Sequence, residues 1–577
     1  YVKGLQNQIE TLPGEIETLK TKLISLPSGS DDTEKIRRQI SKKEDVLGVA
    51  KGDLIKWSRE NYDRLTPESR NLYQKAFATN EADPDYHQLA NLSYEEAGVK
   101  RNLNIPKGDV LHKFRKDVNG GQLPAVSWLA GPENFSDHPT APWYGAWYIS
   151  EILDILTKNP EVWKKTIFIL TYDENDGYFD HIPPFAAPDP LNPGTGKCSA
   201  GIDTSVEYIR RDQELKHGVG AKEARTGPTG LGFRVPMVIA SPWSRGGHVC
   251  SQVFDHTSVF RFVQDFLNKK TGKRIRETNT SLWRKTVSGN LTAAFRPYHG
   301  EEQEKLPFLG KVPFIEAIYN AKFREAPSNY KVLPAEEIAR MNKDLFSSPH
   351  MPQQEPGIKP SCALPYQLYA DGGLSDDKKN FHIKMEARNE IFGEQSAGSP
   401  FNIYLPGKYD VDGKNVSFEN TGSRSYAVIA GDGITDSWPV RSFENGLYHL
   451  RVYGPNGFFR EHQGNEKDPE LLIQCEYERS PLTARKLTGE LLVIIKNKDK
   501  HHSHQLEIRD HAYKNKPVSA VVASGATIKV LMDQSKSYGW YDFGLTVKGF
   551  EHFEKRCAGR IETGQHSFSD PYMGRMI

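Results

Sequence analysis

The sequence lacks the features that would place it in a membrane or on nucleic acid. Its 577 residues contain no apolar run near the roughly 18 residues that a membrane-spanning helix needs. Lys and Arg together number 75 against 74 for Asp and Glu, so there is no basic surplus for binding phosphate backbones in general. We therefore expect neither a transmembrane segment nor a nucleic-acid partner.

Cysteine is scarce and dispersed, and targeting features are missing. The sequence has five cysteines: Cys198, Cys250, Cys362, Cys475 and Cys557. None forms a C-x-x-C pair, which excludes a zinc ribbon, and an odd, scattered set gives no firm disulfide framework. The sequence also has no initiator Met, no basic n-region and no apolar signal-peptide segment at its start. We expect a truncated or processed N-terminus.

What is present begins with a helical pattern. At this length several domains are expected. Within residues 1–58, Ile16, Leu19, Leu23 and Leu26 follow helical spacing, and a Pro/Gly/Ser-rich turn leads into a second helix. This predicts a helical hairpin inserted into a larger domain, with a coiled-coil partner site as the alternative.

Between about 105 and 345, apolar strands alternate with helices. The predicted strands are 125–131, 166–172 and 235–243, and the predicted covering helices are 145–160 and 258–267. Continuous apolar strands separated by helices are typical of a parallel sheet that is covered on both faces. We therefore predict one α/β domain over residues 1–345, with a mainly parallel sheet and helices on both faces.

The remainder is β-rich and contains a repeat. A Pro-rich linker at 346–362 precedes it. A pattern of glycine, aromatic pair, strand and Gly turn recurs, with 93 residues from Gly446 to Gly539 and 94 from Phe459 to Phe553. This period predicts two small all-β sandwich domains, at 363–475 and 476–577.

A cluster of acidic residues follows the predicted strand 166–172. Asp173 and Glu174 lie at its carboxyl end, the edge where open α/β sheets form their sites. Two adjacent carboxylates repel unless a cation neutralises them, and a divalent ion does so through oxygen ligands. Gly177 permits a tight turn that would bring His181 back toward the same point. The alternative is an ordinary hydrophilic turn.

Two further polar clusters follow predicted strands. Asp137 and His138 come after 125–131 and precede four aromatic residues, of which Trp143 and Tyr144 lie nearest. Aromatic faces beside a polar loop suit a quaternary ammonium group through cation–π attraction, although packing against the sheet is the alternative, and the favoured one for Trp147. His256 follows 235–243, where Asp255 to Thr257 also fit a helix N-cap.

Three ordered motifs resemble one protein family. They are "ILTYDENDGYFDHIPP", "PENFSDHP" with "WYGAWYISEILDIL", and "GLGFRVPMVIASPWSRGGHV" with "FDHTSVFRF". Together with "GPNGFFREHQG" and "GWYDFGLTVKG" in the tail, they resemble the phosphocholine-specific phospholipases C of the bacterial phosphoesterase family, in the alkaline-phosphatase-like superfamily. The resemblance implies hydrolysis of phosphatidylcholine, or sphingomyelin, to diacylglycerol or ceramide and phosphocholine. It also implies a phosphorylated enzyme intermediate beside a divalent metal.

The resemblance assigns roles by motif. Asp173 and Glu174 would bind one divalent metal, with Ca, Mg, Mn and Zn all open. His138 and His181 would be catalytic, binding phosphoryl oxygens or protonating the leaving alkoxide. The predicted substrate-binding residues are Asp137, Trp143, Tyr144 and His256. The substrate would be a phospholipid at a membrane surface, and the location periplasmic or secreted.

The sequence departs from the family pattern in one respect. The family carries an upstream Glu-Asn motif and a Thr or Ser nucleophile, and neither motif occurs here. Thr229, in "TGPTGLGFR", precedes the predicted strand 235–243, where the family has a different loop, so it is not the nucleophile. We therefore expect residues 1–345 to be the C-terminal portion of a catalytic domain, lacking the nucleophile and needing a companion N-terminal fragment. Two alternatives are an acid phosphatase or phosphodiesterase for soluble phosphate esters, and a non-catalytic membrane- or glycan-binding protein.

Overall fold

The chain forms two compact units. The computed structural model describes residues 1–27, 30–76, 80, 82–136, 141–175, 177, 183–300, 309–326, 328, 330–344, 348–351, 355–410 and 419–577. The first unit comprises Tyr1–Lys165 and Lys305–Ser328, and the second comprises Thr166–Glu304 and Asn329–Ile577. The fold is of mixed α/β type, with a β-rich C-terminal region.

The helices lie in the first three-fifths of the chain. In chain order they are α1 (Val2–Ile24), α2 (Asp31–Lys56), α3 (Arg59–Asp63), α4 (Pro67–Lys75), α5 (His112–Asn119), α6 (Pro142–Thr157), α7 (Pro160–Trp163), α8 (Arg211–Lys216), α9 (His256–Thr271), α10 (Leu282–Val287), α11 (Lys311–Ala321) and α12 (Ala335–Lys343). Of the helices in the described ranges, none combines the length and the apolar character needed to cross a membrane.

Strands dominate the C-terminal region. The strands before residue 345 are β1 (Leu89–Glu96), β2 (Val99–Pro106), β3 (Phe168–Thr171), β4 (Gly196–Cys198), β5 (Tyr208–Ile209), β6 (Gly227–Pro228) and β7 (Met237–Ala240). Those after it are β8 (Pro360–Ser361), β9 (Leu368–Leu374), β10 (Asn380–Ala387), β11 (Ser399–Tyr409), β12 (Glu419–Val428), β13 (Asp432–Pro439), β14 (Tyr448–Tyr453), β15 (Phe459–Gly464), β16 (Leu471–Ser480), β17 (Thr483–Asn497), β18 (His504–Asp510), β19 (Val518–Val522), β20 (Thr527–Met532), β21 (Trp540–Val547), β22 (Glu554–Arg560) and β23 (Ser567–Phe568).

Helices α1 and α2 form the hairpin that the leucine and isoleucine spacing predicts. Leu12 and Ile16 of α1 pack with Ile36 and Ile40 of α2 in a small apolar core. The Ser30 side chain caps α2 by accepting a hydrogen bond from the backbone N–H of Thr33. Apolar residues at helical spacing on both segments therefore suffice to specify this part of the first unit.

The predicted parallel sheet differs from what the described residues form. Strand β3 pairs with β7 in antiparallel register, from Phe168 opposite Ala240 to Thr171 opposite Met237. Residues 125–131 are not a strand, and the Trp128 side chain is 67% exposed. Pro124 and Pro132 flank this segment and supply no N–H for a ladder. The apolar composition of residues 125–131 was therefore a misleading basis for predicting a strand, because composition does not specify a pairing partner.

A nine-stranded sheet runs through the C-terminal region. Its order is β19-β18-β21-β22-β15-β14-β11-β12-β4. The two copies of the sequence repeat form the hairpins β14–β15 and β21–β22, and these lie side by side because β15 pairs with β22, from Phe459 opposite Ala558 to Gln463 opposite Glu554. The repeat therefore appears as two adjacent hairpins of one sheet.

The last strand of this sheet, β4, comes from far upstream. It pairs with β12 in parallel, from Gly196 opposite Ser425 to Cys198 opposite Ala427, and this is the one parallel strand pair among the described residues. Gly196 has φ of 131°, and a Cβ there would lie 1.8 Å from the Ser425 carbonyl oxygen. Only glycine allows the two backbones to approach in this way.

The β-rich region contains two apolar cores. The first is built around residues such as Phe401, Leu450 and Trp438, and the second around Leu491, Ile508 and Tyr541. Strand β16 spans the predicted domain boundary at 475/476, so that boundary falls within a strand. The segment 346–362, predicted as a linker, ends in the short strand β8, which pairs with β23.

A buried carboxyl group, that of Glu562, joins segments from three parts of this region. Its oxygens accept hydrogen bonds from the Leu364 N–H at 3.3 Å and the Asn456 side-chain amide at 2.8 Å, and an Arg560 guanidinium nitrogen lies 3.5 Å away. Burial raises the pKa of Glu562 to about 7, since the desolvation of the charged form outweighs these partners.

This raised pKa predicts a loss of stability as the pH rises. In the unfolded chain Glu562 ionises near pH 4.5, whereas the folded protein retains the proton to about pH 7. The contribution of Glu562 to the free energy of unfolding should therefore decline between these values, by at most about 1.4 kcal/mol per pH unit. The measurement is urea denaturation of the wild type and Glu562→Gln from pH 4.5 to 8.

The wild type should lose its stability advantage over Glu562→Gln as the pH rises. Glu466→Gln, which changes an exposed carboxylate, serves as the matched control and should follow the wild type across the range. A constant difference between wild type and Glu562→Gln would show that the carboxyl group ionises in the folded state as it does in the unfolded chain.

Candidate functional site

The acidic turn begins where β3 ends, in the second unit. The Tyr172 N–H donates to the Pro236 carbonyl at 3.2 Å, which continues the pairing of β3 with β7 by one residue. Asp173 and Glu174 then lie on a bend with both side chains exposed. The residues of β3 are half-buried rather than fully buried. The carboxylates are thus available to solvent at the end of a strand.

Asn175 fixes the shape of the turn. Its side-chain amide donates to the Arg234 carbonyl at 2.7 Å, and its side-chain oxygen accepts from the Gly177 N–H at 2.7 Å. Gly177 has φ of 84°, the left-handed conformation expected from the sequence. The Glu174 N–H donates to an Asp173 carboxylate oxygen at 3.1 Å. The turn is therefore held by the Asn175 side chain and by the irregular segment that precedes β7.

The acidic turn offers some, but not all, of the ligands that a hard cation needs. Carboxylate oxygens are the ligands that Mg²⁺, Ca²⁺ and Mn²⁺ take. Within the described ranges, however, no three His, Cys, Asp or Glu side chains converge to form a metal site. Asp173 and Glu174 are therefore two metal ligands of the right kind, but two ligands do not complete a metal site. Metal binding stays a prediction.

Three of the predicted site residues, Asp137, His138 and His181, lie outside the described residues, and their roles stay predictions. Of the aromatic residues after His138, Trp143 and Tyr144 lie in the first turn of α6, in the first unit. Trp143 is 63% exposed. Tyr144 is half-buried, and burial raises the pKa of its hydroxyl.

A cluster centred on Phe135 supports this end of α6. Its ring centroid lies 6.3 Å from that of Tyr144, 5.9 Å from Trp147 and 6.2 Å from Tyr148. Trp147 and Tyr148 are buried, as the packing alternative for Trp147 predicts. The cluster leaves Trp143 as the aromatic side chain in this turn with most of its surface free for a ligand.

His256 is the first residue of α9, and its side chain is exposed. The helix-cap alternative for the preceding residue is confirmed, because the Asp255 side chain accepts from the Ser258 N–H while the Ser258 hydroxyl accepts from the Asp255 N–H. Asp255 is therefore structural. The predicted contact of His256 with substrate stays a prediction.

Sequence reasoning missed the charged cluster beneath α9. The Arg284 guanidinium of α10 donates to Asp255 at 2.8 Å and to both oxygens of Glu207, at 2.9 to 3.1 Å. It also donates to the Gly230 carbonyl at 3.1 Å. Burial alone would lower the pKa of Arg284, but its hydrogen bonds to the two carboxylates raise it. The partners are far apart in the chain, so no sequence pattern could have shown the contact.

Comparison with known proteins finds two regions of this chain that match family models. Residues 69–268 match the phosphoesterase family, and residues 360–465 match the C-terminal domain of bacterial phospholipase C. The first match includes the acidic turn, α6 and His256. These two regions are thus similar to the phosphoesterase family and to bacterial phospholipase C, as the motifs indicated. The phosphocholine specificity that the motifs implied stays a prediction.

Relatives named phospholipase C align over most of the length of this chain. The non-hemolytic phospholipase C of Pseudomonas aeruginosa is 35% identical over 480 residues, covering 80% of this chain and 60% of that protein. The non-hemolytic phospholipase C of Burkholderia pseudomallei is 31% identical over 487 residues, covering 83% and 61%. The hemolytic phospholipase C of Pseudomonas aeruginosa is 31% identical over 476 residues, covering 80% and 59%. The chain spans about three-fifths of the length of these relatives.

The Arg284 cluster predicts a large effect of one substitution. Arg284→Ala should lower the free energy of unfolding by about 3–5 kcal/mol, because it leaves two buried carboxylates without their counter-charge. Lys216→Ala is the matched control: its ion pair with Asp212 is 3.7 Å long and its side chain 77% exposed. That control should change stability by less than about 0.5 kcal/mol. Chemical denaturation measures both, and equal effects would show that the cluster contributes nothing beyond a surface pair.

Proposed function

We propose that the protein acts as a phospholipase C on phosphatidylcholine, releasing phosphocholine and diacylglycerol, with sphingomyelin as a second possible substrate. The observation that carries this proposal is the pair of matches, to the phosphoesterase family and to the phospholipase C C-terminal domain, together with relatives named phospholipase C that align over most of the chain. A lipid substrate agrees with a periplasmic or secreted location, which we propose with it.

In this proposal the acidic turn provides the metal ligands. Asp173 and Glu174 would contribute carboxylate oxygens, with Asn175 and Gly177 holding the backbone in the conformation that presents them to solvent. A divalent metal bound there would supply positive charge for the phosphoryl oxygens of the substrate. His138 and His181 would accept and donate protons near neutral pH, as the family pattern implies.

The choline headgroup would be recognised at the start of α6. The Trp143 ring is mostly exposed, and its neighbours Tyr144 and Trp147 pack on Phe135. An indole face attracts a quaternary ammonium group by about 0.5–2 kcal/mol, depending on how far the contact is desolvated. The β-rich region would attach to the phosphoesterase domain or assist it at a lipid surface.

Substitution of the acidic turn tests the metal role. In the full gene product, Asp173→Asn with Glu174→Gln should lower phosphocholine release from phosphatidylcholine vesicles by about 100-fold or more, since the charge on the phosphoryl oxygens is no longer balanced. The same variant should lose Mn²⁺ binding in calorimetric titration. Asp212→Asn, at an exposed carboxylate of α8, is the matched control and should retain both properties.

Unchanged phosphocholine release from the double variant would remove the acidic turn from the mechanism. Release of inorganic phosphate from small monoesters, with no phosphocholine from lipid, would instead favour a phosphatase acting on soluble esters. Binding to vesicles without hydrolysis by the full gene product would favour the non-catalytic alternative.

The headgroup role of Trp143 has a separate test. Trp143→Ala should raise KM for phosphatidylcholine about 3- to 30-fold with little change in kcat, because the lost cation–π contact stabilises bound substrate and transition state equally. KM for phosphatidylglycerol, whose headgroup carries no cation, should not change. Trp57→Ala replaces a tryptophan that is 42% exposed at the end of α2 and should behave as wild type. An equal rise in KM for both lipids would contradict headgroup recognition.

A further inference from the structure

Two cysteines far apart in the sequence touch inside the β-rich region. The sulfur atoms of Cys475 on β16 and Cys557 on β22 lie 3.1 Å apart, and both residues are buried. β16 belongs to the three-stranded sheet β16-β17-β20, whereas β22 belongs to the nine-stranded sheet. Both cysteines lie in the apolar core built around Leu491 and Tyr541. The contact therefore joins two different sheets across one core.

A second pair is positioned by backbone pairing. The Val249 N–H donates to the Pro360 carbonyl at 2.9 Å, and the Cys362 N–H donates to the Val249 carbonyl at 2.8 Å. Val249 and Ser361 thus form a parallel bridge, which places Cys250 opposite Cys362. Neighbouring strands lie about 4.8 Å apart, within the Cα separation that a disulfide spans. The neighbouring Cys362 and burial both raise the pKa of the Cys250 thiol.

The fifth cysteine lies elsewhere. Cys198 is on β4 and packs against the core that contains Trp283 and Ala427. Burial raises the pKa of its thiol to about 11, which keeps it protonated and unreactive at neutral pH. All five cysteines are free thiols in the structure. The odd count is thus resolved into two contacting pairs and one isolated thiol.

We propose that Cys475–Cys557 and Cys250–Cys362 are two disulfide-forming pairs, which close when the chain folds in an oxidising compartment, while Cys198 remains a thiol. This proposal is independent of the proposed lipase activity. The disulfides would tie the two sheets to each other at one point, and the loop after β7 to the segment before β9 at the other.

The oxidant is a disulfide donor of the glutathione or thiol–disulfide oxidoreductase class. One thiolate attacks a sulfur of the donor, forming a mixed disulfide and releasing one donor thiol. The second protein thiolate then attacks the protein sulfur of that mixed disulfide, and the other donor thiol leaves. For each pair two S–H bonds are lost, one S–S bond forms, and the donor is reduced by two electrons and takes up the two protons.

In each pair one thiol is activated by its neighbour. Interaction with the Cys250 thiol and with the nearby Arg296 lowers the pKa of Cys362 to about 7. The Arg296 guanidinium lies 3.8 Å from its sulfur. Burial alone would raise the pKa of Cys557, but Cys475 and the buried Arg460 and Lys555 lower it to about 7. Cys362, Cys475 and Cys557 are buried and Cys250 is half-buried. The disulfide donor would therefore have to reach each pair before the fold is complete.

Mass spectrometry of the full chain tests the proposal directly. The chain is unfolded, reduced, and refolded in a buffer of reduced and oxidised glutathione, then denatured with an alkylating reagent and digested without reduction. We expect a Cys475–Cys557 linked peptide, a Cys250–Cys362 linked peptide, and alkylation at Cys198 alone. Five alkylated cysteines, a single disulfide, or any other pairing would overturn the proposal.

Variants separate the two pairs. Cys475→Ala should make Cys557 available for alkylation and leave the Cys250–Cys362 peptide intact, whereas Cys198→Ala should leave both linked peptides unchanged. Reductant should lower the midpoint of thermal unfolding of the refolded wild type by about 5 °C or more, since each bond closes a long loop in the unfolded chain. Cys475→Ala should lose part of this shift. A wild-type midpoint that does not respond to reductant would count against the proposal.

Discussion

One guanidinium connects several segments in the part of the second unit that matches the phosphoesterase family. Arg284 neutralises two buried carboxylates, Glu207 and Asp255, and also binds the Gly230 carbonyl. Asp255 in turn caps α9, while the segment from Gly230 leads in four residues to Arg234, whose carbonyl binds the acidic turn through Asn175. The start of α9 and the turn after β3 are thus connected to the same charge. A buried charge network of this kind is costly unless complete, which makes its geometry strict.

The β-rich region is organised by a different constraint, the pairing of the two hairpins that the sequence repeat forms. The two hairpins of the sequence repeat lie side by side, since β15 pairs with β22. A single hairpin is marginally stable in water, and each of these two hairpins gains an additional strand partner from the other. The cores on either side of this pairing contain apolar residues from alternating strand positions, such as Leu450 and Val452 in one and Phe543 and Leu545 in the other.

The sequence predicts local features well and long-range pairing poorly. The helical hairpin, the Gly177 turn and the Asp255 cap each depend on residues within a few positions of one another, where spacing and conformational preference decide the outcome. The predictions of a strand at 125–131 and of a parallel sheet were wrong, because apolar composition does not specify which strands pair. Arg284 and Glu207 are 77 residues apart, and Cys475 and Cys557 are 82 apart, so neither contact leaves a local pattern. The predicted roles of Asp137, His138 and His181 depend on their positions after predicted strands and on the family resemblance, since these residues lie outside the described ranges.

The parallel pairing of β4 with β12 has an implication for how the molecule can be divided. β4 lies within the part that matches the phosphoesterase family, and β12 within the part that matches the phospholipase C C-terminal domain. The hydrogen bonds between β4 and β12 therefore join the two matched parts. If the chain were divided at the Pro-rich segment 346–362, each part would have an unpaired strand edge. Bare edges recruit other chains. The two matched parts therefore depend on each other for a complete sheet, and the absence of a side chain at Gly196 is what allows them to pair.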